Sequence, residues 1–213
     1  METIGDRFVY LPEWGVKVYR GKEDVIDGLL TGLLRRWRVR FEYRLPDGLK
    51  IGGVLEPYAM VLYKHGLYVV GRPLRPAEGD AANLVAQDPR VYAVERFISA
   101  EHRRKDTFEV PHDFRAEHFF DGAFGIFTGG EPQRVVIDFA PETRTLVETR
   151  RWHPTQKLSR RRDGWVRLRM QVANPTEVVP WVLGWGPLAR VREPADLVKR
   201  VRDELRRAGA AYG

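Results

Sequence analysis

The chain has 213 residues, of which 43% are hydrophobic and 11% aromatic, enough to fold as one large or two small domains and too many for a disordered chain. Its 36 Lys and Arg against 29 Asp and Glu give a net charge of +7, which favours anionic partners, although an ordinary solvated surface could carry the same excess. The absence of cysteine excludes disulfides, thiolate zinc sites and cysteine nucleophiles.

No apolar run approaches the roughly 20 residues that a membrane-spanning helix needs. The first six residues also lack the charged and apolar regions of a signal peptide. We therefore expect a soluble, cytoplasmic protein with no membrane partner.

The first half of the chain reads as a helix followed by many short strands. Aromatic residues in the first twenty positions indicate short strands, and apolar residues at three-to-four spacing predict an amphipathic helix over residues 23–37, despite Gly28 and Gly32. From residue 38 to 44 the period changes to two, with Val39, Phe41 and Tyr43 on one face.

A meander of strands is predicted next. Pro46-Asp47-Gly48 marks a turn, strands follow over residues 49–57, 58–63 and 67–72, and Lys64-His65-Gly66 forms the tight turn between the last two. A polar loop then leads to a closing strand over residues 90–97. Strands this short and this numerous favour a small closed barrel, which we place at residues 37–100 after an N-terminal segment and helix at 1–36.

A charged and glycine-bearing stretch over residues 101–131 is predicted to be a linker. In the second half of the chain, after this linker, predicted helices alternate with strands. A strand at 134–139, a short helix at 141–150 and a hairpin of 152–161 with 165–172 about Asp163-Gly164 follow. Asn174 then caps a helix in which Glu177 is placed to complete a capping box and which Pro180 should shorten. A strand at 188–192 and a helix at 194–207 end this half. The order β-α-β-β-α-β over residues 132–213 predicts a ferredoxin-like domain, so the fold class is α+β.

Several segments resemble a known family. Arg38-Val39-Arg40-Phe41-Glu42-Tyr43, Leu55-Glu56-Pro57, Leu67-Tyr68-Val69-Val70-Gly71 and the segment from Arg90 to Phe97 resemble the WYL domain of bacterial transcriptional regulators. The later segments resemble the WCX extension that accompanies it: Trp152-His153-Pro154-Thr155-Gln156, Asp163-Gly164, residues 181–186 and Val191-Arg192-Glu193-Pro194. Leu67 stands where the family has its Trp, and Gly53 stands at an often basic position.

The resemblance implies an Sm-like or SH3-like barrel followed by a ferredoxin-like domain. It also implies a ligand-sensing role, with single-stranded DNA, another nucleic acid or a nucleotide-like anion as the ligand. Such regulators normally begin with a winged helix-turn-helix, for which the residues before the first strand leave no room. We therefore expect a DNA-binding unit in cis or in trans, with this chain an excised effector half or a stand-alone sensor, and a homodimer.

Candidate ligand-binding residues cluster at strand ends of the predicted barrel. Tyr68 alternates with Leu67 and Val69, and the resemblance favours the ligand-binding face for it, whereas a buried strand aromatic is the plainer alternative. Arg90 and Arg96 are six residues apart on the predicted closing strand, which puts both on one face. The remaining candidates flank strand ends and turns: Tyr43, Arg44, Lys64, His65 and Arg72. Aromatic rings beside arginines suit single-stranded nucleic acid, because rings stack on bases and arginines bind phosphates.

A second basic cluster surrounds the later hairpin: Arg150, Arg151, Gln156, Arg160, Arg161 and Arg162. It is either a charged hairpin tip or a strip that contacts phosphates or a partner, with Gln156 as a polar anchor. Trp152, Trp165, Trp181 and Trp185 are expected to pack in the core or an interface.

Catalysis is not expected. The chain has no Gly-x-Ser-x-Gly, Walker, His-Glu-x-x-His or dinucleotide motif, and the six-residue spacing of His112 and His118 fits neither a strand face nor adjacent helical turns. We predict no cofactor and no metal. The alternative to a sensor is a dimerisation or protein-interaction module without a ligand of its own.

Overall fold

The structure is a computed structural model that describes residues 15–77 and 80–213. Within these residues two antiparallel sheets are combined with four α-helices, in agreement with the predicted α+β class. The chain divides into two compact units, residues 1–116 and 117–213. None of the described helices is both long and apolar enough to cross a membrane.

The first unit begins with helix α1 (Glu23–Arg35), which ends two residues before the predicted end, and strand β1 (Trp37–Arg44), which begins one residue before the predicted start. The short strands expected in the first twenty residues fall mainly on positions outside the described ones, and residues 15–20 contain none. Gly28 and Gly32 are buried on the inner face of α1. A Cβ at Gly28 would collide with the carbonyl oxygen of Ala100, so the glycines allow close packing of the helix on the sheet.

The rest of this unit is β2 (Lys50–Tyr63), β3 (Gly66–Ala77), β4 (Asp80–Ala86), β5 (Arg90–Ala93) and β6 (Phe97–Thr107). The sheet order is β4-β3-β2-β1-β6, and β5 pairs with β3. Its core contains, among others, Leu29, Val39, Phe41, Leu55, Val69 and Phe97. Lys64 and His65 form the two-residue hairpin turn, with φ of 45° and 57°, as type I′ turns require.

Four predictions for this sheet were wrong. The strands expected at 49–57 and 58–63 are one strand, in which a register shift between Pro57 and Ala59 absorbs the extra residue. The expected polar loop contains β4, and β6 continues to Thr107, so residues 101–107 of the predicted linker are strand. The strand expected at 90–97 ends at Ala93, because a 3₁₀ turn over Val94–Arg96 buries Val94 and redirects the chain into β6.

The second unit contains β7 (Gln133–Phe139), α2 (Arg144–Glu148), β8 (Lys157–Arg160), β9 (Val166–Val172), α3 (Val178–Leu183), β10 (Ala189–Glu193) and α4 (Ala195–Tyr212). The sheet order is β10-β7-β9-β8, with every pair antiparallel. One sheet face packs against the helices: Ile137, Leu168 and Met170 meet Val147, Val182 and Leu197 in one core.

Several details of this unit differ from expectation, among them the strand predicted over residues 152–161, which spans only Lys157–Arg160. Asn174 caps as predicted, accepting from the Thr176 N–H at 3.1 Å, but Glu177 does not complete a capping box. Its carboxylate instead accepts from the backbone N–H groups of Ile126 and Phe127, at 2.5 and 3.2 Å, and so holds a distant loop. Leu205 follows Leu197 and Val201 at a spacing of four residues and would be expected on the buried face of α4, but it is 53% exposed.

Candidate ligand-binding site

A cleft of about 400 Å³ opens in the first unit where β1 ends and β6 begins. Its walls come from three separate segments, and its lining residues are Lys22, Arg44, Leu45, Pro46, Glu95, Arg96, Phe97 and Ile98. Arg44 is the last residue of β1, and Arg96 ends the 3₁₀ turn before β6. Strand pairing of β1 with β6 brings these two predicted residues together.

The cleft is basic. Arg44 and Arg96 are exposed, and Lys22 lies half-buried with its Nζ donating to the Phe97 carbonyl oxygen at 2.5 Å. Glu95 is the acidic group in the lining. Three cations with one carboxylate in so small a space favour an anion, and the guanidinium groups can each bind a phosphate through two N–H donors.

Tyr43 lies beneath this cleft and is 6% exposed. Its ring packs edge-on against Tyr92 and Phe97, and its hydroxyl accepts from the Ala93 N–H at 3.1 Å. Burial raises the pKa of Tyr43, against the opposing effects of the Ala93 N–H and Arg96. The structure therefore places this predicted residue in the core, where it supports the 3₁₀ turn that carries Arg96.

Tyr68 lies beside the cleft and is linked to it through Glu95. The Lys17 Nζ donates to the Tyr68 hydroxyl at 2.8 Å, pairs with the Glu95 carboxylate at 2.6 Å and lies 4.1 Å from the centre of the Tyr68 ring. Burial alone lowers the pKa of Lys17, but its bonds to Glu95 and Tyr68 outweigh burial and raise it. The segment before α1 thus covers the residue that the sequence singles out as ligand-binding.

Arg72 lies elsewhere, in an ion cluster around Glu56. The Glu56 carboxylate is 1% exposed, accepts from Arg38 and Arg72 at 3.0 and 2.8 Å, and is 3.4 Å from the Tyr58 hydroxyl. Arg38 also pairs with Asp106 at 2.9 Å. Burial, together with the Glu56 charge, raises the pKa of Tyr58 to about 12 despite Arg72. Arg72 neutralises a buried carboxylate, which is a structural role.

The other predicted residues of this unit are dispersed. Arg90 is exposed at the start of β5. Its positive charge, like that of Arg75, opposes the rise that burial causes in the pKa of Tyr92. It does not share a strand face with Arg96, because the 3₁₀ turn separates them. Lys64 and His65 form the hairpin turn, with the Lys64 Nζ 5.2 Å from the Tyr63 ring. Arg44 and Arg96 are therefore the predicted pair that the fold brings into one cleft.

Family models match both units. A WYL domain model matches residues 24–102, and a WCX domain model matches residues 131–209. The chain carries a WYL domain followed by a WCX domain. The resemblance drawn from the sequence is thereby confirmed.

Two solved structures are similar to this chain. One is proteasome accessory factor B/C (PafBC) of Arthrobacter aurescens, with 15% identity, a TM-score of 0.39, and coverage of 89% of this chain and 27% of that chain. The other is a CRISPR Cas-related protein, with 14% identity, a TM-score of 0.53, and coverage of 90% of this chain and 52% of that chain. This chain thus spans about a quarter of the first and about half of the second. No curated protein matches it.

The two departures from the WYL motif have structural counterparts. Leu67 packs at the edge of the WYL core, and its N–H donates to the Tyr19 hydroxyl at 2.5 Å. Gly53 lines a second pocket of about 410 Å³, together with Phe41, Leu74 and Tyr92 among others. Because glycine has no side chain, position 53 contributes no positive charge to this pocket.

In the WCX domain the predicted basic cluster separates into structural contacts. The Gln156 Oε1 accepts from the N–H groups of Trp152 and His153, and its Nε2 donates to the Arg150 carbonyl oxygen. Arg160 binds Glu148 through two hydrogen bonds of 2.8 and 2.9 Å. The three hydrogen bonds of the Gln156 side chain therefore hold together the loop between α2 and β8.

The other members of the cluster point to different neighbours. The Arg150 guanidinium lies 5.6 Å from the Trp152 ring, and Arg151 donates to the Pro154 carbonyl oxygen. Arg161 pairs with Asp163 at 3.1 Å, and Arg162 is exposed. Trp152, Trp181 and Trp185 pack against the core, as expected.

Sequence reasoning missed Lys17, Lys22 and Glu95. Glu95 belongs to the segment that resembles the WYL family, and this was the available signal for it. Lys17 and Lys22 precede α1 and belong to no motif, so neither could be connected with β3 or β6 before the fold was known. Among the described residues, no three His, Asp or Glu side chains are grouped to hold a metal ion.

Proposed function

We propose that this chain is the ligand-sensing module of a bacterial transcriptional regulator, and that it binds single-stranded nucleic acid or a nucleotide-like anion in the WYL domain. The observation that carries the proposal is the convergence of Lys22, Arg44 and Arg96 on one cleft. Lys17 connects Tyr68 with this cleft, because its ammonium group bonds both to the Tyr68 hydroxyl and to Glu95, which lines the cleft. Basic groups for phosphates beside an aromatic ring for a base are the usual elements of a single-strand site. Because the Lys17 ammonium group lies over the Tyr68 ring, our proposal requires Lys17 to move before a base can stack there.

The segment before α1 supports a route by which binding is passed on. Lys17 contacts Tyr68 and Glu95, Tyr19 accepts from the Leu67 N–H, and Lys22 donates to the Phe97 carbonyl. A phosphate that binds at Arg96 competes with Glu95 for nearby cations and alters the Lys17 contacts. In our proposal this change reaches a helix-turn-helix DNA-binding unit, in cis or in trans, within a homodimer.

We further propose the finer fold assignments that the family implies. The meander of β1 to β6, with β5 pairing back onto β3, supports an Sm-like or SH3-like barrel. The connectivity β7-α2-β8-β9-α3-β10 and the antiparallel order β10-β7-β9-β8 support a ferredoxin-like WCX domain.

The test is a fluorescence-anisotropy titration with short labelled single-stranded DNA at low salt. We expect Arg44→Ala and Arg96→Ala each to weaken binding about tenfold or more, since each removes one charge-assisted phosphate contact. Arg104→Ala is the matched control, because Arg104 is an exposed arginine on β6 outside the cleft, and its effect should stay below threefold.

Equal effects of all three substitutions would contradict a site in this cleft. No binding at any salt concentration, with a stable dimer in light scattering, would favour the ligand-free dimerisation module instead. Integrity of the labelled strand on a gel after incubation with Mg²⁺ checks our proposal that the chain is not a nuclease.

A further inference from the structure

The sheet of the second unit has one face that the helices do not cover. Residues directly opposite each other in paired strands have side chains on the same face. One row across the sheet is Arg190, Asp138, Arg167 and Ser159, and the next includes Val136, Arg169 and Lys157. These residues alternate with the core residues Ile137, Leu168 and Met170, so they lie on the face away from α2, α3 and α4.

This face is strongly basic. We name it the arginine face, and its cations are Arg134, Lys157, Arg167, Arg169, Arg190 and Arg192, the last placed there by its hydrogen bond to Asp138. Against these six cations the strands place two carboxylates on this side, Asp138 and Glu193, and the Asp138 side chain is only 1% exposed. A pocket of about 470 Å³ at one end of the face is lined by Arg134, Lys157 and Arg169 among others.

Asp138 organises the centre of the arginine face. Its carboxylate accepts from the Nε and Nη2 of Arg167 at 2.6 and 2.9 Å and from the Nε of Arg192 at 2.8 Å, with the Arg161 Nη1 at 3.5 Å. The Arg192 side chain remains 45% exposed. One buried carboxylate thus fixes the orientation of several guanidinium groups whose remaining N–H donors can bind an anion, which lowers the entropy lost on binding.

The chemistry of the arginine face selects the class of ligand. Among its described strand residues none is aromatic, and the ring of the adjacent Trp165 has the Arg190 guanidinium 4.4 Å from its centre. The face therefore has no free platform on which a base could stack. Lys157 lies directly opposite Arg169, and Arg167 and Arg169 are two residues apart on β9, so their Cα atoms are separated by about 5 Å across the strands and about 7 Å along β9. Forked guanidinium groups suit phosphate oxygens.

We propose that the arginine face binds the phosphate backbone of a nucleic acid strand, without regard to base sequence. This site shares no residue with the cleft in the WYL domain, since its residues belong to β7, β8, β9 and β10 of the second unit.

The experiment uses the full chain with Arg44→Ala and Arg96→Ala in place, so that binding in the WYL cleft does not contribute. The probe is a labelled oligo-dT of about 20 nucleotides. The test variant adds Lys157→Ala, Arg169→Ala and Arg190→Ala, three cations that do not bond to Asp138. The matched control adds Arg202→Ala, Arg206→Ala and Arg207→Ala on α4, which removes the same charge from the exposed end of a helix.

We expect the test variant to bind at least tenfold more weakly, and the control to change less than threefold. The slope of log K against log[salt] should fall in magnitude by about 2 in the test variant, because each lost phosphate contact to a single strand is worth about 0.7. Circular dichroism checks that each variant folds. Should the triple variant not fold, Lys157→Glu replaces it, since Lys157 is exposed.

Equal losses in the test and control variants, or no loss in either, would overturn the proposal. Poly-glutamate is the competing polyanion. If it binds with the same dependence on Lys157, Arg169 and Arg190 while oligo-dT does not bind, the face takes an acidic protein segment and our proposal is wrong.

Discussion

Lys17 is the residue that joins the segment before α1 to the motif strand of the WYL domain. Its ammonium group contacts the Tyr68 hydroxyl, the Tyr68 ring and Glu95 at once. Because the Lys17 and Glu95 side chains are 26% and 31% exposed, solvent screens the pair only in part.

We expect Lys17 and the Tyr68 hydroxyl to be energetically coupled by about 0.5–1 kcal/mol in the free energy of unfolding. The measurement is a double-mutant cycle with Lys17→Met and Tyr68→Phe in urea. The same cycle with Lys64→Met and Tyr63→Phe is the control, since the Lys64 Nζ lies 5.2 Å from that ring on an exposed turn. Equal coupling in both cycles would argue against an ordered Lys17 contact.

Glu56 is a second residue whose replacement should lower the stability of the protein, because it neutralises two arginines. Replacing it by Gln leaves Arg38 and Arg72 without a buried carboxylate, and both guanidinium groups are about two-thirds covered. We expect Glu56→Gln to lower the free energy of unfolding by about 2 kcal/mol. Asp106→Asn, which affects the more exposed partner of Arg38, should cost under about 1 kcal/mol. Similar costs for the two variants in urea denaturation would contradict this distinction.

At the scale of an element, α1 depends on two glycines that a helix would ordinarily disfavour. Alanine at Gly28 gains about 1 kcal/mol of helix propensity, but its Cβ would meet the Ala100 carbonyl carbon at 2.9 Å and its oxygen closer still. We expect Gly28→Ala to lower the free energy of unfolding by more than about 2 kcal/mol, since the helix must move off the sheet.

Gly209 on α4 provides the control for Gly28. A Cβ there meets nothing within 4 Å, so Gly209→Ala should be neutral or stabilise the protein by up to about 1 kcal/mol. Thermal melts of the two variants give the comparison. A stabilising effect at Gly28 would mean that α1 packs less closely on β6 than the structure has it.

Periodicity predicted the elements well where one face is buried and the other solvated. Val39, Phe41 and Tyr43 alternate with charged residues, and β1 follows them. The pattern failed at β2, since a bulge at Pro57–Ala59 changes the alternation without ending the strand. It failed at β4 because the alanine-rich sequence of this strand does not alternate between apolar and polar residues, although it pairs with the preceding strand β3. It failed at the end of β6 because this segment is polar and its strand structure depends on pairing with the distant strand β1.

The candidate site was predictable in its composition and not in its geometry. Arg44 and Arg96 were both identified, but their proximity follows from the pairing of β1 with β6. Arg72 was identified for the same reasons and binds a buried carboxylate instead. The arginine face was not identified, because its residues come from four strands and each looks like an ordinary solvated position in its own strand.

At the scale of the whole molecule, the two units have in common a separate hydrophobic core and a buried carboxylate paired with arginines. Each has its own hydrophobic core, and each sheet buries one carboxylate that several arginines neutralise, Glu56 in the first unit and Asp138 in the second. Burial alone raises the pKa of Asp138, but hydrogen bonds from Arg167 and Arg192 outweigh it and hold the pKa below its usual value. The stabilisation from Asp138 is therefore complete at neutral pH and is lost only in strong acid.

The second unit should lose stability at a milder pH through His153. This side chain is 2% exposed and bonds to the Thr155 hydroxyl at 2.8 Å. Burial lowers its pKa, against the opposing effect of the Gly122 and Ala123 backbone. Since the folded pKa lies below the unfolded value of about 6.5, the unfolded state binds more protons just below pH 6.5, and stability falls as the pH drops through this range.

We expect the free energy of unfolding of the second unit to fall by up to about 1 kcal/mol per pH unit between pH 6.5 and 5. Urea denaturation followed by tryptophan fluorescence measures it, because four of the six tryptophans lie in residues 117–213. His153→Gln should remove this dependence. His118→Gln should retain it, since His118 is the other histidine of this unit and its side chain is 71% exposed. A dependence that survives in His153→Gln and vanishes in His118→Gln would assign the titration to the exposed histidine instead.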